Sequence, residues 1–233
     1  MRVRALAAAF AACVTLAMPA TSPAQRSRAP ATQRDWSQVA VRTPEGGVRI
    51  GNPAASMKLI EYGSITCPHC AAFSGEASAA LRTRHVRSGR VSWEYRPFLI
   101  FPTDPGIFML LNCLPPAQFF TATEQLYATQ NAWFRRITSL PAAELDRIQA
   151  LPPFQRSAAL VRAAGLEPFF RARGLTAAQA SACLANRAGV ERLAATARGA
   201  QALGVQGTPT FFLNGRSIGT VDWARLEPML AGR

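Results

Sequence analysis

Met57-Lys58-Leu59-Ile60-Glu61-Tyr62-Gly63-Ser64-Ile65-Thr66-Cys67-Pro68-His69-Cys70 joins a short apolar strand to two cysteines, and Ala71-Ala72-Phe73 opens a helical pattern running toward Val86. The dithiol therefore falls where a helix begins. There the unpaired backbone N–H groups and the positive end of the helix dipole favour a thiolate over a thiol. Pro68 suits the first helical position, because its missing N–H removes no helix bond. Positions i and i+3 share a helix face, which brings Cys70 within bonding reach of Cys67. Cys67, at or near the N-cap, is expected to be the more exposed and more acidic sulfur and so the nucleophile, with Cys70 resolving. His69 can add a donor or a positive charge to the Cys67 thiolate.

The acidity has an energetic sign. Each unit by which the Cys67 pKa falls below ambient pH stabilises the dithiol by about 1.4 kcal/mol, which corresponds to about 30 mV of two-electron potential. A strongly acidic Cys67 makes an oxidising disulfide and a good leaving group. The same spacing serves as half of many zinc sites, but a zinc site needs two more ligands. The other histidine is His85, and Cys13, Cys113 and Cys183 are scattered singly. Redox chemistry leads over metal binding and over an inert structural bridge, and no cofactor is expected.

Met1 to Ala24 has the pattern of an export signal. Arg2 and Arg4 precede the apolar run Ala5 to Met18, and Ser22-Pro23-Ala24 places small residues before a cut after Ala24, with Ala20 a second candidate. The run is too short to be a convincing membrane span. Lipid attachment at Cys13 is a minor alternative. Cleavage would leave about 209 residues and four cysteines in an oxidising compartment. With Cys67 and Cys70 already suited to each other, Cys113 and Cys183 can close a loop of about 70 residues, worth on the order of 4 kcal/mol in the chain-entropy model. Two buried free thiols are the alternative.

The chain of 233 residues carries 26 Lys and Arg against 13 Asp and Glu, a formal net charge of +13. Lys58 is its only lysine. Nucleic-acid binding would want that charge concentrated with stacking aromatics in a module, and no such motif occurs. Arg82, Arg84, Arg87 and Arg90 fit solvated helix faces instead.

Residues 25–47 are polar and rich in Arg, Pro and Ser, and are expected to form a flexible arm leading to a strand near Val48-Arg49-Ile50. Val91 to Arg96 is the next strand, completing a strand-helix-strand unit around the dithiol. Asp104-Pro105 opens a helical block that runs to about Leu203. The pattern predicts helices over 105–114, 116–130, 141–151, 153–164, 176–186 and 189–203, punctuated by Pro-Pro pairs at 115–116 and 152–153. Thr210 to Leu213, the turn Asn214-Gly215 and Arg216 to Ile218 then read as a hairpin, and Asp222 to Leu230 as a closing helix.

Three separated features converge: Glu61 six residues before Cys67, the Cys67-Pro68-His69-Cys70 motif, and Gly207-Thr208-Pro209-Thr210 opening a late strand. Over about Val48 to Leu230 the chain resembles DsbA-like thiol:disulfide oxidoreductases of the thioredoxin superfamily. The resemblance implies an α/β thioredoxin fold with an inserted all-helical domain. Its parts would be a signal peptide at 1–24, the arm at 25–47, core at 48–103, helical insertion at 104–188 and core again at 189–233. It implies that Thr208-Pro209 faces the dithiol with Pro209 cis, leaving the Thr208 backbone free to pair with an extended client strand. It also implies that Glu61 is a buried acid that exchanges a proton with Cys70; a solvent-exposed strand-end glutamate is the alternative.

The implied activity is periplasmic oxidation of newly exported, unfolded or partly folded proteins, with a membrane quinone-linked thiol oxidase as the reoxidant and a monomeric state expected. Threonine before the cis proline also occurs in isomerases and reductases of this fold, which would need a reducing partner instead. A client-binding chaperone with a redox switch is a further alternative, using Phe98, Phe101, Phe119 and Phe120 as a groove unless they are core.

Overall fold

The computed structural model describes residues 34–231. Six strands form one sheet in the order β1-β2-β4-β3-β5-β6: β1 Ala40–Arg42, β2 Val48–Gly51, β3 Met57–Gly63, β4 Val91–Pro97, β5 Thr210–Leu213 and β6 Arg216–Gly219. β3 and β4 pair in parallel, as a strand-helix-strand crossover requires, and every other pair is antiparallel. The crossover carries α1, Pro68–Ala80, which passes into a π-helical turn at Leu81–Val86. This is the thioredoxin arrangement, with β5, β6 and α10 (Trp223–Ala231) completing the core.

Alternation along β3 decides what lies under the dithiol. Leu59 and Glu61 point to the face covered by α1 and the insertion, while Tyr62 points to the opposite face, where it packs with Ala200, Val205 and Phe212. The first face holds the main core, in which Trp93, Tyr95, Phe108, Phe119, Phe120 and Phe211 are all buried. Phe119 and Phe120 are thus core residues, whereas Phe98 and Phe101 are only partly buried.

Between β4 and α9 (Arg187–Ala202) the described residues hold seven helices: α2 Asp104–Cys113, α3 Pro116–Ala128, α4 Gln130–Thr138, α5 Ala142–Gln149, α6 Pro153–Ala163, α7 Glu167–Arg171 and α8 Ala177–Leu184. Prolines start α2, α3, α6 and α7, and Thr176 forms a capping box with Gln179 at the start of α8. Cys113 ends α2 and is joined to Cys183 on α8 by a disulfide spanning 70 positions.

Several expectations require correction. The arm at 25–47 is folded from Trp36 on: a short 3-10 turn at Trp36–Gln38 leads into β1, which adds an edge strand to β2. Its polar composition hides specific anchors. The Arg42 guanidinium donates to the carbonyls of Asn112 and Leu114, Asp35 caps the turn through the Ser37 N–H, and the Trp36 indole lies against Gly89. Residues 25–33 and the expected export signal at 1–24, Cys13 included, lie outside the described residues. The single helix expected over 116–130 stops at Ala128, and α4 follows after Thr129, whose φ of −111° and ψ of 11° leave the helical region. α7 is an addition to the expected helices, because five residues are too short to show a period.

Candidate active site

Cys67 is the N-cap residue of α1, with extended φ and ψ of −78° and 120°, and Pro68 takes the next position. Cys67 is 5 % exposed and Cys70 fully buried, both as free thiols. One turn of helix places the two sulfurs on the same face, so the Cys70 thiol donates to Cys67. That bond is the largest influence holding the Cys67 pKa down at about 5, with further help from the Thr208 side chain and the backbone N–H groups of Cys70 and His69, against burial. Burial pushes Cys70 far upward, and the Cys67 hydrogen bond and the Glu61 and Cys67 charges add to it. The two sulfurs divide the work: one is ready to ionise at neutral pH and the other holds its proton.

His69 contributes differently from the expectation. Its imidazole is exposed and makes no hydrogen bond among the described residues, and what reaches the thiolate is its backbone N–H. Pro68, also exposed, leaves the mouth of the site apolar on that side.

Across from the dithiol, the Thr208–Pro209 peptide bond is cis, and the Cys67 thiol donates to the Thr208 carbonyl at 3.3 Å. Among the described residues the buried Thr208 Oγ1 has no hydrogen-bond partner of its own, and the Thr208 side chain lowers the pKa of both cysteines. It can therefore serve as a donor once the Cys67 thiol has lost the proton it gives to the carbonyl.

Beneath the sulfurs lies Glu61, 2 % exposed. Burial raises its pKa to about 8, opposed by the single bond from Trp93 and reinforced by the Cys67 charge. The partner is Trp93, whose indole N–H donates to Glu61 Oε2. Sequence reasoning missed Trp93 because the contact crosses from β3 to β4.

It also missed a polar layer behind the turn at 64–67. Asp104 Oδ2 accepts from Ser64 Oγ at 2.8 Å, Thr66 Oγ1 at 3.0 Å, Ile100 N at 2.8 Å and Phe101 N at 3.0 Å, and Oδ1 accepts from Thr66 N at 3.2 Å. Burial raises the Asp104 pKa and these donors oppose the rise. Tyr127 donates to the Ser64 carbonyl and pairs with Tyr95 at 2.7 Å, while Gln130 donates to the carbonyls of Ile65 and Cys67. An Asp-Pro helix start at Asp104 was visible in the sequence; that its carboxylate turns inward to the turn was not.

An acidic thiol at a helix start, a buried second thiol and a proton-bearing acid below them define a redox dithiol protein of thioredoxin architecture. Residues 43–231 match the family model described as Thioredoxin, and the chain belongs to the thioredoxin family. A solved structure named as a protein-disulfide isomerase from Novosphingobium aromaticivorans is 33 % identical with a TM-score of 0.74, covering 79 % of this chain and 95 % of that one. Wolbachia pipientis alpha-DsbA1 shares the fold at 18 % identity and a TM-score of 0.60, over 79 % of this chain and 88 % of that one. A Rickettsia conorii chain provisionally named as a protein-disulfide oxidoreductase is 23 % identical over 110 residues, which span 47 % of this chain but only 39 % of the relative.

Proposed function

We propose that the protein is a periplasmic thiol:disulfide oxidoreductase that introduces disulfides into unfolded or partly folded exported proteins. The observation that carries this reading is the division between the sulfurs, Cys67 held at about 5 and Cys70 pushed up by burial. A thiolate that is stable at neutral pH stabilises the dithiol over the disulfide, and the disulfide is then a strong oxidant.

In the oxidised enzyme a client thiolate attacks Cys67 Sγ, the Cys67–Cys70 bond breaks, and Cys70 leaves with the electron pair. Cys70 takes up a proton for which Glu61 is the nearby carrier. The second client thiolate then attacks the client sulfur of the mixed disulfide, and Cys67 leaves as a stable thiolate. Two electrons have passed from client to enzyme, and a membrane quinone-linked thiol oxidase would take them on. The Thr208 backbone beside Pro209 offers an extended client a strand to pair with.

A second reading, disulfide isomerase or reductase, is supported by the name of the Novosphingobium relative. One comparison separates the two. Purified oxidised protein should oxidise a reduced, unfolded substrate stoichiometrically, and Cys67→Ser should abolish this; undiminished oxidation by the variant removes the first reading. Faster turnover on a scrambled-disulfide substrate, together with a reduced dithiol trapped by alkylation in cells, would favour the second.

A further inference from the structure

The turn that presents the dithiol is gripped from the helical insertion. The break at Thr129 between α3 and α4 aims two side chains at one target. Tyr127, near the end of α3, donates to the Ser64 carbonyl at 3.0 Å. Gln130, the first residue of α4, donates from Nε2 to the Ile65 carbonyl at 2.7 Å and to the Cys67 carbonyl at 3.0 Å. Because both neighbours are carbonyl oxygens, it is the amide nitrogen that must face the turn.

Hydrogen-bond satisfaction accounts for only one of the two bonds. The Cys67 carbonyl already accepts the first α1 bond, from Ala71 N at 3.1 Å, whereas the buried Ile65 carbonyl has no other partner among the described residues. What the amide adds beyond that is geometry. It ties together carbonyls on either side of Thr66, whose own N–H and hydroxyl are held by Asp104. The Ile65–Thr66 and Cys67–Pro68 peptide planes are thereby held, with Thr66 pinned between them, and their orientation sets how Sγ lies toward the N–H groups of His69 and Cys70 at the start of α1.

We propose that Gln130 is a positioning residue: by holding the Ile65 and Cys67 carbonyls it fixes the N-cap orientation of Cys67, and through it the helical insertion sets the redox poise of the dithiol. The proposal rests on the reading of Cys67 and Cys70 as a redox pair, and is independent of the direction in which that pair works.

Gln130→Met keeps the length of the side chain and removes both donors. In the reduced variant the midpoint of the Cys67 thiolate absorbance titration should rise by about one unit. The equilibrium with glutathione should shift about tenfold toward the disulfide, equivalent to a potential about 30 mV more negative. Gln130→Glu, kept protonated by the two carbonyls it faces, retains one donor and should move both readouts about half as far. Trp133→Phe on the same helix loses its bond to the Leu126 carbonyl, and should lower the Tm without moving the midpoint.

A folded Gln130→Met with the wild-type midpoint overturns the proposal. So does failure of both Gln130 variants to fold, which would assign the residue to stability alone. An ordinary Cys67 midpoint in the wild type would instead remove the redox reading itself, and this proposal with it.

Discussion

Trp93 donates its indole N–H to Glu61 Oε2 at 3.1 Å, on the sheet face beneath Cys67 and Cys70. In the parallel pairing of β3 and β4, Glu61 lies opposite Tyr95 and Leu59 opposite Trp93, so the indole arrives from the diagonal position. One neutral donor is too little to offset full burial, and the carboxyl keeps its proton up to about pH 8.

That imbalance gives stability a pH dependence. Between the ordinary value of 4.5 and about 8, Glu61 is protonated in the folded chain and ionised in the unfolded one, so its contribution to stability falls as pH rises. Cys67 acts in the opposite sense: its pKa drops from 9.0 to about 5 on folding, so the reduced protein gains stability across that window. The two trends largely cancel. Glu61→Gln removes only the first, and at about 1.4 kcal/mol for each pH unit separating the folded and unfolded values the reduced variant should gain several kcal/mol on wild type between pH 5 and 8. Urea unfolding of both reduced proteins checks this, and parallel curves would contradict the assignment.

Cys70→Ala tests the division between the sulfurs. The Cys70 thiol is the largest influence lowering Cys67, so its loss should raise the Cys67 midpoint from about 5 by at least one unit. The backbone N–H groups and the Thr208 side chain remain, so the value should stay below 9.0. At pH 7 a thiolate with a pKa of about 5 favours the dithiol by about 3 kcal/mol, or about 60 mV. The rate of iodoacetamide alkylation against pH gives the midpoint, and an unmoved profile would rule out the thiol-thiolate bond.

What was legible in the sequence was local. Cys67 and Cys70 stand at a strand-helix junction marked by a proline, and Pro209 opens the strand before the Asn214-Gly215 turn, so residues within a few positions announce both features. The partners of the site are not local. Trp93 reaches Glu61 only through the β3–β4 register, Asp104 reaches Ser64 and Thr66 across some 40 positions, and Gln130 reaches Ile65 and Cys67 across 65 and 63. The helix break at Thr129 carries neither Pro nor Gly, so no punctuation marks it. The strand β1 was hidden because its order depends on Arg42 finding carbonyls at the end of α2, and nothing in the composition of the segment records that.

The Cys113–Cys183 bridge joins α2 to α8 across 70 positions, with Cys113 exposed and Cys183 half-buried. Replacing both by serine frees that loop in the unfolded state and should cost about 4 kcal/mol by the chain-entropy relation. The guanidinium unfolding midpoint of the double variant should fall accordingly, while a wild-type midpoint would mean that the insertion is held by packing alone.

Gly63 ends β3 directly under the Tyr95 hydroxyl, and an added Cβ would lie 2.5 Å from it. That hydroxyl is the start of a buried chain: Tyr95 OH pairs with Tyr127 OH at 2.7 Å, and since Tyr127 donates onward to the Ser64 carbonyl, Tyr95 must donate to Tyr127. Gly63→Ala therefore forces the Tyr95 ring away and strands the polar groups that follow it. Overpacking of this kind costs about 1–3 kcal/mol. Because Tyr127 loses its donor at the same time, the turn at 64–67 should loosen along with the core. The ring carbons Cζ and Cε2 would lie 2.7 and 2.8 Å from the added Cβ, so the clash persists even without the oxygen. Tyr95→Phe alone takes away the donor to Tyr127 without any clash, and so separates the two effects; it should lower the Tm less than Gly63→Ala does. An equal loss in the two variants would show that the tyrosine pair, and not the overpacking, carries the effect.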